Sequence, residues 1–270
     1  MSPSTPEEGI RAPHLRSAAP AILGAGLLLL GWQLVAGRQP EILVPSPAET
    51  VGALAGLAGD GELTEQLAVT LRRAALGVAV ALVLGAAWGL LAASRRWVDG
   101  LTRPGRGVLL GLPPVVPVVL GTVWLDDPGT VAVLVVVIVT LPTAAVTVAE
   151  GARGIDADLL ELARVYRFSP LSRLRHVVAP ALAPALRSAG SLCCSSGLRV
   201  TIMAELLVAP DGVGSAVAQA RGTLETGEVF AWALVAVAAA VFTDRLVARP
   251  RRRTHPRAPR GVAVLLGVRA

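Results

Sequence analysis

The sequence predicts an all-α integral membrane protein, with about six transmembrane helices and a basic, helix-patterned loop between the fourth and fifth. Three observations carry that expectation. The 270 residues are 53% hydrophobic and only 16% charged, where a soluble domain carries about a quarter charged residues. Aromatics make up 3%, so the apolar mass is Ala, Val and Leu, which suits helices in lipid. Six apolar runs, near the roughly 20 helical residues that cross a core of about 30 Å, recur at 18–37, 71–93, 108–125, 130–149, 188–209 and 228–247.

None of these runs alternates as barrel strands do. Backbone groups in lipid must be satisfied within their own segment, so all six are expected as helices. One membrane domain is expected over 18–249, between tails at 1–17 and 250–270. The first run follows Arg11 and Arg16, as a signal peptide would, but it is long for such a segment and is taken as a retained span. The apolar stretch 261–268 is too short to cross and is left unassigned.

Arginine sets the orientation. All 25 basic residues are Arg. With the N-terminus in the cytoplasm, twenty of them fall on cytoplasmic segments, including the six at Arg153, Arg164, Arg167, Arg173, Arg175 and Arg187. The turn between spans three and four carries Asp126 and Asp127 instead. This is a positive-inside distribution, with both termini cytoplasmic. The net charge of +6 therefore reads as topology, helped by anionic membrane lipid, and not as nucleic-acid binding. Cys193 and Cys194 are adjacent within a span. They close no loop, no His completes a metal site, and small residues at a helix contact are the expected role.

The connectors have their own signals. In 38–66, Val44-Pro45-Ser46-Pro47 reads as extended chain leading into a helix capped by Ser46, with Glu49 at its third position. Gly59-Asp60-Gly61 reads as a turn. Residues 94–107 read as a short basic loop, and 210–227 as a Gly-rich outer loop, re-entrant or gate-like.

Residues 150–184 are the most informative. Ile155, Leu159, Leu162, Ala163 and Tyr166 recur at helical spacing, with Asp158, Glu161, Arg164 and Arg167 on the other faces. Ser169-Pro170 supplies a cap and a first helical position. Leu171, Leu174 and Val178 continue a second short helix, which Pro180 and Pro184 are expected to break before the fifth span. A surface-lying amphipathic loop is one reading of this hairpin. Its two capped helices favour a docking element.

Glu161-Leu162-Ala163 followed by Val177-Val178-Ala179-Pro180 resembles the EAA loop of ABC-importer permeases. Further stretches are similar to that family: Leu43-Val44-Pro45-Ser46-Pro47, Thr70-Leu71-Arg72-Arg73 with Gly77, Gly111-Leu112-Pro113-Pro114 with Trp124, Ala204-Glu205, and Asp244-Arg245-Leu246. Their order resembles most the branch that imports nitrate, sulfonates and taurine. The resemblance implies a homodimeric permease, with separate ABC ATPase subunits and a periplasmic or lipoprotein solute-binding protein as partners. It implies that Glu161, Leu162, Ala163, Arg164, Arg167, Ser169, Pro170 and Leu171 contact the ATPase. There are departures: the family pattern has Gly where this chain has Arg167, and Ala where it has Leu162. The turn Asp126-Asp127-Pro128-Gly129 also departs from it.

No catalytic residue and no cofactor are expected. A P-loop needs a Lys, and the chain has none. ATP hydrolysis would therefore reside in a partner. An integral-membrane enzyme is disfavoured because His14, His176 and His255 all lie outside the spans. A membrane scaffold recruiting a different cytoplasmic partner is the alternative.

In the fifth span, Arg187, Ser191, Ser195 and Arg199 recur every four residues as a polar stripe. A charge at mid-bilayer costs about 2.5–3.5 kcal/mol or more unless paired or hydrated. Either the stripe, with Glu205, lines a translocation path and attracts an anion, or Arg199 makes a structural pair with Glu205 or with another helix. About 9 Å along the helix separates Arg199 from Glu205. Pro113, Pro114 and Pro117 are expected to kink the third span, with a pore-lining break as the second reading.

Overall fold

The computed structural model describes residues 18–40 and 42–247, with the backbone alone at a few positions that include Arg164 and Pro170. The expected tails at 1–17 and 250–270, and the run at 261–268, lie outside the described residues. Among the described residues there is no strand. The chain forms two compact units, one ending at Gln66 and completed by Ala216–Leu234, the other comprising Leu67–Ser215 with the chain from Val235 onward.

In the first unit, α1 (Ala18–Ala36) carries Leu23, Leu27, Leu28, Leu30 and Leu34 exposed, as a helix meant for lipid does. Trp32 near its end donates from Nε1 to the Pro45 carbonyl (3.0 Å) and stacks on Phe230 at 5.8 Å. The expected cap is in place. Ser46 Oγ accepts from Glu49 N (3.2 Å), while Glu49 Oε2 accepts from Ser46 N (2.8 Å). This reciprocal box, with Pro47 at the first position, starts α2 (Pro47–Gly59). The helix ends in the expected turn, where Gly61 takes φ +78°, a left-handed value that favours glycine.

In the second unit, α3 (Glu62–Ser94, from Leu67 onward), α4 (Arg96–Gly111), α5 (Val115–Trp124) and α6 (Pro128–Arg153) lead to a short hairpin of α7 (Ala157–Val165) and α8 (Pro170–Arg173). A π-helical turn at Leu174–Val178 then opens α9 (Ala179–Val208), followed by α10 (Val213–Gly222) and α11 (Thr226–Val247), each of which straddles the two units. Asp127 caps α6, accepting from Thr130 N at 2.7 Å, and the Thr130 hydroxyl and amide hold its carboxyl below the usual range.

The core lies where α6 and α9 pair, with Val118, Val131, Val135, Val136, Cys193 and Val200 all buried. Lipid supplies no hydrophobic drive between helices, so close approach through small residues has to hold them. Gly77, Gly85 and Gly89 fall on one face of α3, against Val136, Ala144 and the Ala145 carbonyl of α6. Gly197 of α9 lies against Val78. Cys193 is buried in this contact, its Sγ 3.6 Å from the Thr140 carbonyl, and both cysteines are free.

All six expected runs are helical. Among the described residues four segments are long and apolar enough to cross a membrane, and a fifth if α4 and α5 count as one broken span. The apolar stretch of α1, Leu23–Ala36, is shorter. Four expectations need correction. The run at 108–125 is two helices bent by 102° at Leu112-Pro113-Pro114. Both prolines lack a donor, and Pro113 pushes Leu112 to ψ 120°, out of the helical region. Residues 94–107 are mostly α4, not loop. That helix sends Trp97, Leu101 and Val108 outward while Arg106 is buried. Pro180 and Pro184 do not break the chain before the fifth span. The π turn, in which Ala179 N–H reaches back to Leu174 O, widens the helix just ahead of them, and both prolines continue inside α9. The loop expected at 210–227 likewise contains α10.

An added Cβ at Gly89 meets backbone of α6, whereas at Gly24 it meets open space. Gly89→Ala should therefore destabilise by about 1–3 kcal/mol, read as a lower thermal midpoint in detergent, with Gly24→Ala unchanged beside it.

Candidate functional site

The hairpin between α6 and α9 is built by local signals. Asp156 Oδ1 accepts from Asp158 N (2.9 Å) at the start of α7. The helix ends with Phe168 N bonded to Ala163 O (3.0 Å) and Arg167 at φ +50°, the left-handed stop that usually falls to glycine. This supplies a backbone reason for the glycine that the resembling loops carry there. Ser169 Oγ then accepts from Ser172 N (3.2 Å) and opens α8. Of the expected apolar stripe only Ala163 is buried. Leu159, Leu162 and Tyr166 are exposed, and Val165, Phe168, Leu171 and Leu174 extend the same open apolar surface. Glu161, Arg167, Arg175 and His176 border it, all exposed. The side chains of Arg164 and Pro170 lie outside the described residues. A contiguous apolar patch rimmed by charge is the form an interaction surface takes.

The polar stripe of α9 is only partly brought together. Arg199 donates to Ser195 Oγ (2.9 Å) and to Asp244 Oδ2 of α11 (2.6 Å). Arg187 bonds back to the Ala183 carbonyl, and Ser191 is half-buried two turns before Arg199. The Arg199–Asp244 pair stays open, with 54% and 37% of its side chains exposed. Arg199 thus pairs with another helix and not with Glu205. Pro113 and Pro114 sit at the α4–α5 break, whereas Pro117 is buried within α5.

Glu205 belongs to a separate, closed node. Thr70 Oγ1 donates to Glu205 Oε2 (2.7 Å), and Arg73 Nη1 donates to Glu205 Oε1 (3.1 Å) and to the Asp211 carbonyl (2.8 Å). Arg73 also pairs with the Asp211 carboxylate (2.5 Å), Val213 N donates to Thr70 Oγ1 and Gly214 N to Glu205 Oε2. A Cβ at Gly212, which takes φ +101°, would strike the Glu205 carboxyl, and one at Gly214 the Ile202 carbonyl. The node ties α3, α9 and the chain entering α10 to each other. Sequence reasoning assigned Arg73 to a span end and missed the pairing. The signal was there: a carboxylate inside a span needs a cation on a neighbouring one. A second cluster joins Arg106 and Arg153 to one carboxylate, Asp99, at 2.8 and 3.0 Å.

Residues 81–255 match the family described as the inner membrane component of binding-protein-dependent transport systems. The chain belongs to this family. SsuC of Bacillus subtilis (strain 168), a permease protein named for aliphatic sulfonate transport, is 26% identical over 84% of this chain and 83% of its own. TauC of Escherichia coli (strain K12), named as a taurine transport system permease protein, is 25% identical over 90% and 92%. Among solved structures, the inward-facing MetNI methionine ABC transporter aligns over 68% of this chain and 92% of the matched chain, with a TM-score of 0.50 at 18% identity. That likeness shows the permease fold.

Arg73→Ala strands the buried Glu205 carboxylate without its cation, and should lower stability by about 3–5 kcal/mol. Glu205→Gln keeps an acceptor for Thr70 and should cost less. Thermal midpoints of the purified variants, measured side by side, check the order.

Proposed function

We propose that this chain is the permease subunit of an ABC importer for a small nitrate-, sulfonate- or taurine-like solute with an anionic group, acting as a homodimer with separate ATPase subunits and a solute-binding protein. Family membership supplies the transport role, and the names of SsuC and TauC supply the substrate class. The observation that carries the coupling reading is the hairpin of α7 and α8. It offers Leu159, Leu162, Tyr166 and Leu171 to a partner instead of to its own core.

The hairpin is continuous, through the π turn, with α9. A pull on it is therefore delivered to the helix that carries Ser195, Arg199 and Glu205. Nucleotide-driven closure of two ATPase subunits would rock α9 between two packed states. Orientation follows the arginine count, with the hairpin and both termini in the cytoplasm.

Arg199 is the residue proposed to meet the anion. A guanidinium half open on a membrane helix must face water or protein, which favours a path between two copies over lipid. Asp244 holds it in place and balances its charge while no anion is present. Pro113 and Pro114, at the broken α4–α5 pair, are proposed to line the same path.

Two measurements test the reading. The ATPase encoded with this permease should co-purify stoichiometrically, and Glu161→Ala should lower its recovery several-fold; full recovery would remove Glu161 from the contact. In uptake assays with taurine or an alkanesulfonate, Arg199→Ala should raise KM about tenfold or more. Unchanged affinity and rate with lowered stability would reduce Arg199 to a structural role.

A further inference from the structure

We infer that Arg167 selects the ATPase partner, its guanidinium engaging an Asp or Glu side chain of the ATPase subunit at the turn of the hairpin. The inference rests on the coupling role proposed for that hairpin and adds the chemistry of the contact.

Arg167 holds φ +50°, where an L-residue is disfavoured and glycine is not. Nothing in the hydrogen bonding of the turn requires an arginine, since the bond from Phe168 N to Ala163 O uses backbone atoms alone. Residues held in sparsely populated backbone regions cluster at ligand clamps and switch regions, and Arg167 is one of two such non-glycine residues among those described, with Leu224. The Arg167 side chain is exposed, and among the described residues it makes no ion pair. Arg73, Arg106, Arg153 and Arg199 are each matched to a carboxylate, whereas Arg167, like Arg173 and Arg175 on the same hairpin, is not matched to one among the described residues.

Around it lies a shallow depression lined by Arg167, Phe168, Ser169, Ser172 and His176. Its own polar groups are largely committed to each other. Ser169 Oγ donates to Ser172 Oγ (3.0 Å), and His176 Nδ1 donates to the Ser172 carbonyl (3.0 Å). No acidic residue lines it, and Arg175 is exposed on the same short stretch. The depression is therefore a cation-bearing notch with an aromatic edge at Phe168, set within the exposed apolar surface of α7 and α8. A partner whose apolar groove covers that surface would partly dehydrate Arg167, and a carboxylate placed opposite restores its counter-charge. A planar fork of donors suits a carboxylate better than a point charge does. Electrostatic matching of this kind governs partner choice and salt dependence.

The experiment uses full-length permease in phosphatidylcholine nanodiscs and the ATPase subunit encoded with it, with binding measured at 50 and 200 mM salt. Arg167→Gly relieves the backbone and removes only the side chain. It should weaken binding about tenfold at low salt and flatten the salt dependence, while Arg167→Glu weakens it further and Arg167→Lys keeps part of the affinity. If position 167 matters only for its backbone, Arg167→Gly binds as tightly as wild type or more tightly, and the inference is overturned. It is equally overturned if the Arg167 effect appears only when phosphatidylglycerol is included, since the occupant is then a lipid headgroup. Leu162→Glu separates the two levels. ATPase release by Leu162→Glu with no effect of Arg167→Gly leaves the coupling role standing without this contact. ATPase retention by Leu162→Glu removes the coupling role itself.

Discussion

A carboxylate sealed among membrane helices has to bring its counter-ion with it, and Glu205 meets that condition through Arg73. Both groups are almost fully buried, and Asp211, Thr70 and the amides of Val213 and Gly214 complete their hydrogen bonds. Because every member depends on the others, the node fixes α3, α9 and the start of α10 as a group. A half-satisfied version would be worse than an apolar contact. The glycines beside it follow from the same constraint: Gly212 and Gly214 leave no room for a side chain against Glu205 and Ile202.

Around that node the helices are held by shape. Gly77, Gly85 and Gly89 bring α3 onto α6, and Gly197 brings α9 onto Val78. This is how apolar helices associate where the solvent is itself apolar. Two of the charged places that the chain covers only partly are the Arg199–Asp244 pair and the hairpin. Under the proposed function these are the two working surfaces, one toward the solute and one toward the source of energy, joined by the uninterrupted α9.

Much of this was legible in the sequence. Long apolar runs without strand alternation announce helices, because lipid permits only helices and closed barrels. The Ser46 cap, the Gly59–Gly61 turn and the two-helix hairpin were readable because their signals are local. What escaped depends on distance or on compensation. Arg73 and Glu205 are 132 residues apart, and Arg199 and Asp244 are 45 apart, so no window of sequence holds both partners. Pro180 and Pro184 looked like breakers, yet a π turn ends just before Pro180 and both prolines lie inside α9. Pro113 and Pro114, read as a kink, make a full break, because two consecutive residues without donors leave α4 with nothing to continue on. At Arg167 the departure from the resembling loops was visible in the sequence, while its left-handed backbone was not.

The central claim is that the hairpin is a handle reached from the cytoplasm and gripped by a separate ATPase. Maleimide labelling of Tyr166→Cys in oriented membrane vesicles tests it most directly; the native Cys193 is buried and Cys194 half-buried in α9. The account predicts labelling from the cytoplasmic side only, with protection when the ATPase is added. Labelling from the opposite side, or cytoplasmic labelling that the ATPase leaves unchanged, would contradict it.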